Sequence, residues 1–159
     1  MKHNTTWPLL VKKAEDRVTQ RLKDHQACVE NEQKLQGSRQ RILDMIESYK
    51  AKLNQRQQQP LSIAETTNFR EFMSQLLRLV ERVDDDLRRA HQARELAKQR
   101  LLEAEIALFK MQAMVEKDVR AVAAHHKKQE QRQMDALGIT QFNLKSASSP
   151  VPASDNTVA

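Results

Sequence analysis

FREFMSQLLRLVERVDDDLRRAHQARELAKQRLLEAEIALFKMQAMVEKDVRAV, residues 69–122, is the stretch that decides the fold. Within it Phe69, Met73, Leu76, Val80, Val83, Leu87, Ala90, Arg94, Ala97, Leu101, Ala104, Leu108, Met111, Val115, Asp118 and Val122 alternate steps of four and three residues. Only Arg94 and Asp118 interrupt the apolar series. A 3.5-residue repeat sustained over this many turns predicts a helix with a left-handed coiled-coil seam. One helix alone would leave that stripe in water, so a partner helix is required.

Working toward the N-terminus, the same rhythm returns. Val11, Ala14, Val18, Arg21, His25, Cys28, Glu32, Leu35, Arg39, Ile42, Ile46, Tyr49 and Leu53 form a second seam, apolar at its ends and polar in its middle. Gly37-Ser38 falls near that middle and reads as a kink or soft spot. Between the seams, Gln55–Pro60 reads as a turn, because Pro60 disfavours helix in the residue before it. Ser62 followed by Glu65 is a capping-box pattern that starts the second helix. A short connection implies antiparallel neighbours. Folding the chain near residue 61 sets Leu53 against Phe69, Tyr49 against Met73, Ile46 against Leu76 and Ile42 against Val80. It also brings Glu32 and Arg94 into adjacent layers, either as a partly buried register-fixing pair or as two side chains reaching separately for water.

The expected fold class is therefore all-α, a long antiparallel two-helix coiled-coil hairpin with an overhanging C-terminal helix. Residues 1–8 are an N-terminal arm. Residues 9–137 are the hairpin, with helix 1 at about 9–57, a turn at about 58–62 and helix 2 at about 63–137. Gly138 reads as a helix stop, and the Ser/Ala/Pro-rich residues 138–159 read as a disordered tail. Some 25 residues of helix 2 should project past helix 1, roughly 35–40 Å at 1.5 Å per residue.

Composition agrees. Of 159 residues only two are glycine and four proline, aromatics make up 4% and charged residues 30%. This suits one narrow seam better than a globular core. The net charge is +6, concentrated in residues 1–60, but acids and bases interleave along the helices as on an ordinary solvated coiled-coil surface. The single Cys28 permits no internal disulfide and fits a reducing compartment. No N-terminal signal-peptide pattern occurs, and no stretch approaches the roughly 20 apolar residues of a membrane span. A cytosolic protein is expected, with any membrane contact peripheral.

Three features lie outside the seam. Beside the turn, Phe72, Leu77 and Leu79 widen the apolar face, either as a broader core or as a docking patch. On the back of helix 2, Leu102, Ile106, Phe109 and Ala113 form a possible second contact stripe, open to self-association, a third helix or another partner. The end segment AVAAHHKKQEQRQMDAL, residues 121–137, is polar on most faces; it is either a frayed end or a helix meant for a receptor site. Catalytic chemistry is not indicated. Adjacent His125 and His126 point about 100° apart and cannot share a metal without further ligands. No phosphate loop or nucleophile–base signature occurs, and Asp84, Asp85 and Asp86 read as a solvated face. Neither a recognition fold nor a basic patch with aromatics points to nucleic acid. No catalytic residue, cofactor or metal is expected.

The segment Asn68-Phe69-Arg70-Glu71-Phe72-Met73-Ser74-Gln75-Leu76-Leu77 resembles the start of the second helix in the flagellar FliJ family. Lys127-Lys128-Gln129-Glu130-Gln131-Arg132-Gln133-Met134-Asp135 is similar to that family's C-terminal Lys/Glu/Gln-rich motif, although Ala136 stands where the family often has Glu. The resemblance covers roughly residues 8–140. It implies a coiled-coil stalk of the flagellar type III export apparatus, at the cytoplasmic face of the inner membrane, without enzymatic activity. It implies binding to the hexameric export ATPase FliI, to the export gate protein FlhA and to export chaperones, in support of flagellum assembly, motility and chemotaxis. Phe72 and Leu76 match the gate-contacting tip; Lys128, Glu130, Gln131, Met134 and Asp135 match the ATPase-proximal motif. A holdase-type export chaperone and the stalk of a virulence-type secretion system are the competing readings.

Overall fold

The computed structural model describes residues 6–56 and 59–149. Two helices fill it: α1, Trp7–Arg56, and α2, Ile63–Ala147. Gln57 and Gln58, part of the expected turn, lie outside the described residues, as do residues 1–5 of the arm and 150–159 of the tail.

Local sequence sets the start of α2. The Ser62 amide donates to Glu65 Oε2 at 3.3 Å, and the Glu65 amide donates to Ser62 Oγ at 3.2 Å. This reciprocal capping box satisfies two donors that the first helical turn leaves free.

Residues Leu9–Met111 form one compact unit. Here both seams read from the sequence turn inward. Every seam position from Val11 to Leu53 and from Phe69 to Met111 is buried or half-buried. The contacts run in opposite directions along the two helices. Tyr49 stacks on Phe69 with ring centroids 5.8 Å apart, Arg39 Nε reaches Asp84 Oδ1 at 2.6 Å, and Arg94 Nη1 reaches Glu32 Oε2 at 3.0 Å. The helices are therefore antiparallel, in the register obtained by folding near residue 61. The core proper is Ile42, Ile46, Leu76 and Val83, with Leu43, Phe72, Met73, Val80 and Leu87 packed against it.

Gly37 does not break α1, which runs through it from Trp7 to Arg56. Its φ is not positive, and an added Cβ would meet nothing within 4 Å. The flanking heptads hold it helical against a cost of about 1 kcal/mol relative to alanine.

The second unit comprises residues 1–8 and 112–159. Within it the Trp7 indole N–H donates to Asp118 Oδ2 at 3.1 Å. This explains one of the two polar interruptions in the seam, and it places the start of α1 at Trp7 rather than near residue 9. The expected stop at Gly138 does not occur either; α2 continues to Ala147. Gly138 is not in the left-handed conformation that a glycine stop uses, and no proline follows before Pro150. The helix ends instead in serines. Ser148 and Ser149 hydroxyls donate to the Lys145 carbonyl at 3.1 and 3.3 Å, supplying terminal acceptors with donors. Residues 138–147, expected as tail, are thus helix.

Candidate functional site

At the turn, aromatic side chains from both helices gather. Tyr49 from α1 lies 4.4 Å from Phe72 and 5.8 Å from Phe69 by ring centroid. Two open grooves flank this cluster. One, about 730 Å³, is lined by Tyr49, Lys52, Arg56, Glu65, Phe69 and Phe72 among others. The other, about 700 Å³, is lined by Lys50, Leu53, Phe69, Arg70, Met73 and Leu77 among others. Each groove thus has an apolar floor and a mainly cationic rim.

The two expected tip residues are not equivalent. Phe72 is half-buried, and one side of its ring lines a groove. Leu76 is 6% exposed and belongs to the core. It supports the tip from beneath, while the exposed apolar surface beside it comes from Leu77 and Leu79. Tyr49 is the tip residue that sequence reading left inside the seam. Its signal was available: a tyrosine near a turn, one layer from two phenylalanines.

The back stripe of α2 is open. Leu102, Ile106 and Phe109 are 55%, 45% and 73% exposed. They sit on the opposite side of the helix from the seam residues Leu101, Ala104 and Leu108.

The end segment is helical and open on all sides. Every residue from 123 to 149 is exposed, including Lys128, Glu130, Gln131, Asp135 and Met134, the last at 71%. These five occupy about two successive turns of one helix, and among the described residues none is buried against them.

The acidic run of α2 is neutralised locally. Asp84 pairs with Arg39, Asp85 with Arg88 and Asp86 with Arg89, so the acidic run is a set of ion pairs. The buried polar layer centres on Glu32, which is 8% exposed. Arg94 lies 3.0 Å from its Oε2, at an angle outside hydrogen-bond geometry, and His91 Nδ1 lies 3.6 Å from Oε1. The sequence sets Glu32 and Arg94 in adjacent layers without deciding between a pair and two separate routes to water; the structure pairs them and adds His91, one helical turn before Arg94. Among the described residues no group of three or more His, Cys, Asp or Glu side chains is placed to hold a metal ion. No helix among them is long and apolar enough to cross a membrane.

Comparison with protein families finds a match. The model described as Flagellar FliJ protein covers residues 9–147, which takes in the hairpin, the end segment and the helical residues beyond Gly138. Searches of curated proteins and of solved structures give no match.

Proposed function

The chain belongs to the flagellar FliJ family, whose members are structural components of the flagellar type III export apparatus, and on that premise we propose that it is the coiled-coil stalk linking the hexameric export ATPase FliI to the export gate FlhA. The observation that supports this reading most is the contrast between its two candidate contact segments. The turn offers aromatic grooves with a cationic rim. The final part of α2 is a fully exposed, mixed-charge helix.

In this reading the turn docks on the gate. Phe72 supplies the contacting ring, and Leu76 acts through packing by holding that ring in place. Lys128, Glu130, Gln131, Met134 and Asp135 contact the ATPase, where a helix that is marginal alone gains order from the ring interior. The stalk hydrolyses nothing; it transmits the state of the ATPase to the gate at the cytoplasmic face of the inner membrane. Export chaperones are further partners. Flagellum assembly, and with it motility and chemotaxis, depends on it.

The test is a pull-down of the purified chain against the ATPase and against the cytoplasmic region of the gate protein. Wild type, Phe72→Ala and Lys128→Ala/Gln131→Ala/Met134→Ala are compared, with far-UV circular dichroism as the folding control. Loss of the gate protein alone in the first variant and of the ATPase alone in the second is the expected pattern. A folded wild type that captures neither protein overturns the stalk reading. The holdase reading draws on the exposed Leu77 and Leu79. It predicts no effect of substoichiometric chain on ATPase turnover, whereas a stalk raises it.

A further inference from the structure

The back of α2 carries a second heptad pattern, distinct from the seam that faces α1. With Ile106 taken as an a position, Leu102 and Phe109 are d positions. Glu103 and Lys110 then fall at e, and Lys98 and Glu105 at g. The three apolar side chains are exposed, and so are all four flanking charges. Among the described residues, no ion pair involves Lys98, Glu103, Glu105 or Lys110. Elsewhere on the same helix Arg88, Arg89 and Arg120 are each paired with a nearby acid.

These four charges are complementary to themselves. In a parallel coiled coil, a g residue faces the e residue five positions later on the other helix. Placed against a second copy, Lys98 meets Glu103 and Glu105 meets Lys110, and two-fold symmetry repeats both pairs. Every flanking charge is then matched by its opposite. An antiparallel arrangement sets e against e and g against g; the register that matches Glu103 with Lys110 parts Lys98 from Glu105, and the register that matches Lys98 with Glu105 parts Glu103 from Lys110, so no antiparallel register matches all four charges.

We propose that the chain forms a parallel homodimer through this face, with Leu102, Ile106 and Phe109 of the two copies stacked layer on layer. A seam this short buries well under the roughly 1,600 Å² of a standard interface, so the dimer is weak and reversible. The inference does not rest on the stalk reading, because neither Phe72 nor the 128–135 segment takes part.

The test is sedimentation of the full chain over a wide range of loading concentrations. Wild type should rise from the monomer mass of 18.4 kDa toward twice that value. Lys98→Glu/Lys110→Glu makes the flanks wholly acidic and Glu103→Lys/Glu105→Lys makes them wholly basic. Each variant alone should stay monomeric at every loading, while an equimolar mixture regains the doubled mass. Orientation is read from pyrene attached at Gln92→Cys in a Cys28→Ser chain. Parallel copies bring the two labels into one layer and give excimer emission; antiparallel copies in either charge-matched register hold them about 25 Å or more apart along the axis. A wild type that stays monomeric throughout, charge variants that associate as wild type does, or association without excimer emission would each overturn the proposal.

Discussion

Within the hairpin unit, the layers next to the turn and the layers around Glu32 follow one heptad rhythm but are built from opposite materials. Near the turn, Ile42, Ile46, Leu76 and Val83 are buried under Phe72, Met73 and Leu87. Farther along, Ala90, Ala97 and Ala104 are the buried residues of α2, and α1 offers Glu32, Cys28, His25 and Arg21 across the same seam. The first region removes much apolar surface from water and supplies most of the stability. The second buries little and holds one charged pair, which costs desolvation but tolerates few alternative alignments. Stability and alignment are thus supplied by different layers.

The comparison is broken most directly at Ile46. Ile46→Ala should lower the stability of the hairpin by about 2–4 kcal/mol in urea denaturation, the range for a buried large-to-small change. Equal loss from Ala97→Gly would contradict the division. The next effect is at the polar layer. Arg94→Ala strands the Glu32 carboxylate, and a loss of about 1–3 kcal/mol is expected. Replacing both partners by leucine should restore or exceed wild-type stability. Spin labels across the seam should then report a broader distribution of inter-helix distances, and an unchanged sharp distribution would remove the alignment role. Gly37→Ala, between the two regions, should raise stability by about 0.5–1 kcal/mol, since the position is helical and open to a methyl group. The smallest effect belongs to Arg39 and Asp84. Both side chains are more than a third exposed, so a double-mutant cycle should give a coupling of about 0.2–1 kcal/mol that fades in salt.

The seam was legible because its signal is a period summed over many residues; no single substitution can hide it. Arg94 and Asp118 broke the apolar pattern yet kept their places, since Glu32 and Trp7 supply partners across the seam. Trp7 precedes Pro8, and a proline so near the N-terminus reads as the end of an arm; yet proline is tolerated in the first turn of a helix. Gly138 was misread for a related reason. A glycine is a stop only when the chain takes the left-handed turn there, and the residues after Gly138 give the helix reason to continue. The tip was half legible. Spacing marked Leu76 as seam and family likeness marked it as contact, and its burial assigns it to packing first. The exposed back stripe could be found by spacing; that the charges flanking it take part in no ion pair among the described residues is visible only in the fold.

The order of contacts along the two helices also sets how the chain can fold. The Arg39–Asp84 pair joins residues 45 apart in sequence, and Trp7–Asp118 joins residues 111 apart. Closing the larger loop directly would cost roughly 0.8 kcal/mol more in chain entropy, before any layer contributed. The capping box at Ser62 and the aromatic cluster at Tyr49 are the shortest closures available. Once they form, each further layer closes only a few additional residues. Chain entropy therefore favours closing the hairpin from the turn outward. The Trp7–Asp118 contact, at 111 residues, spans the longest stretch of chain among the side-chain hydrogen bonds of the described residues.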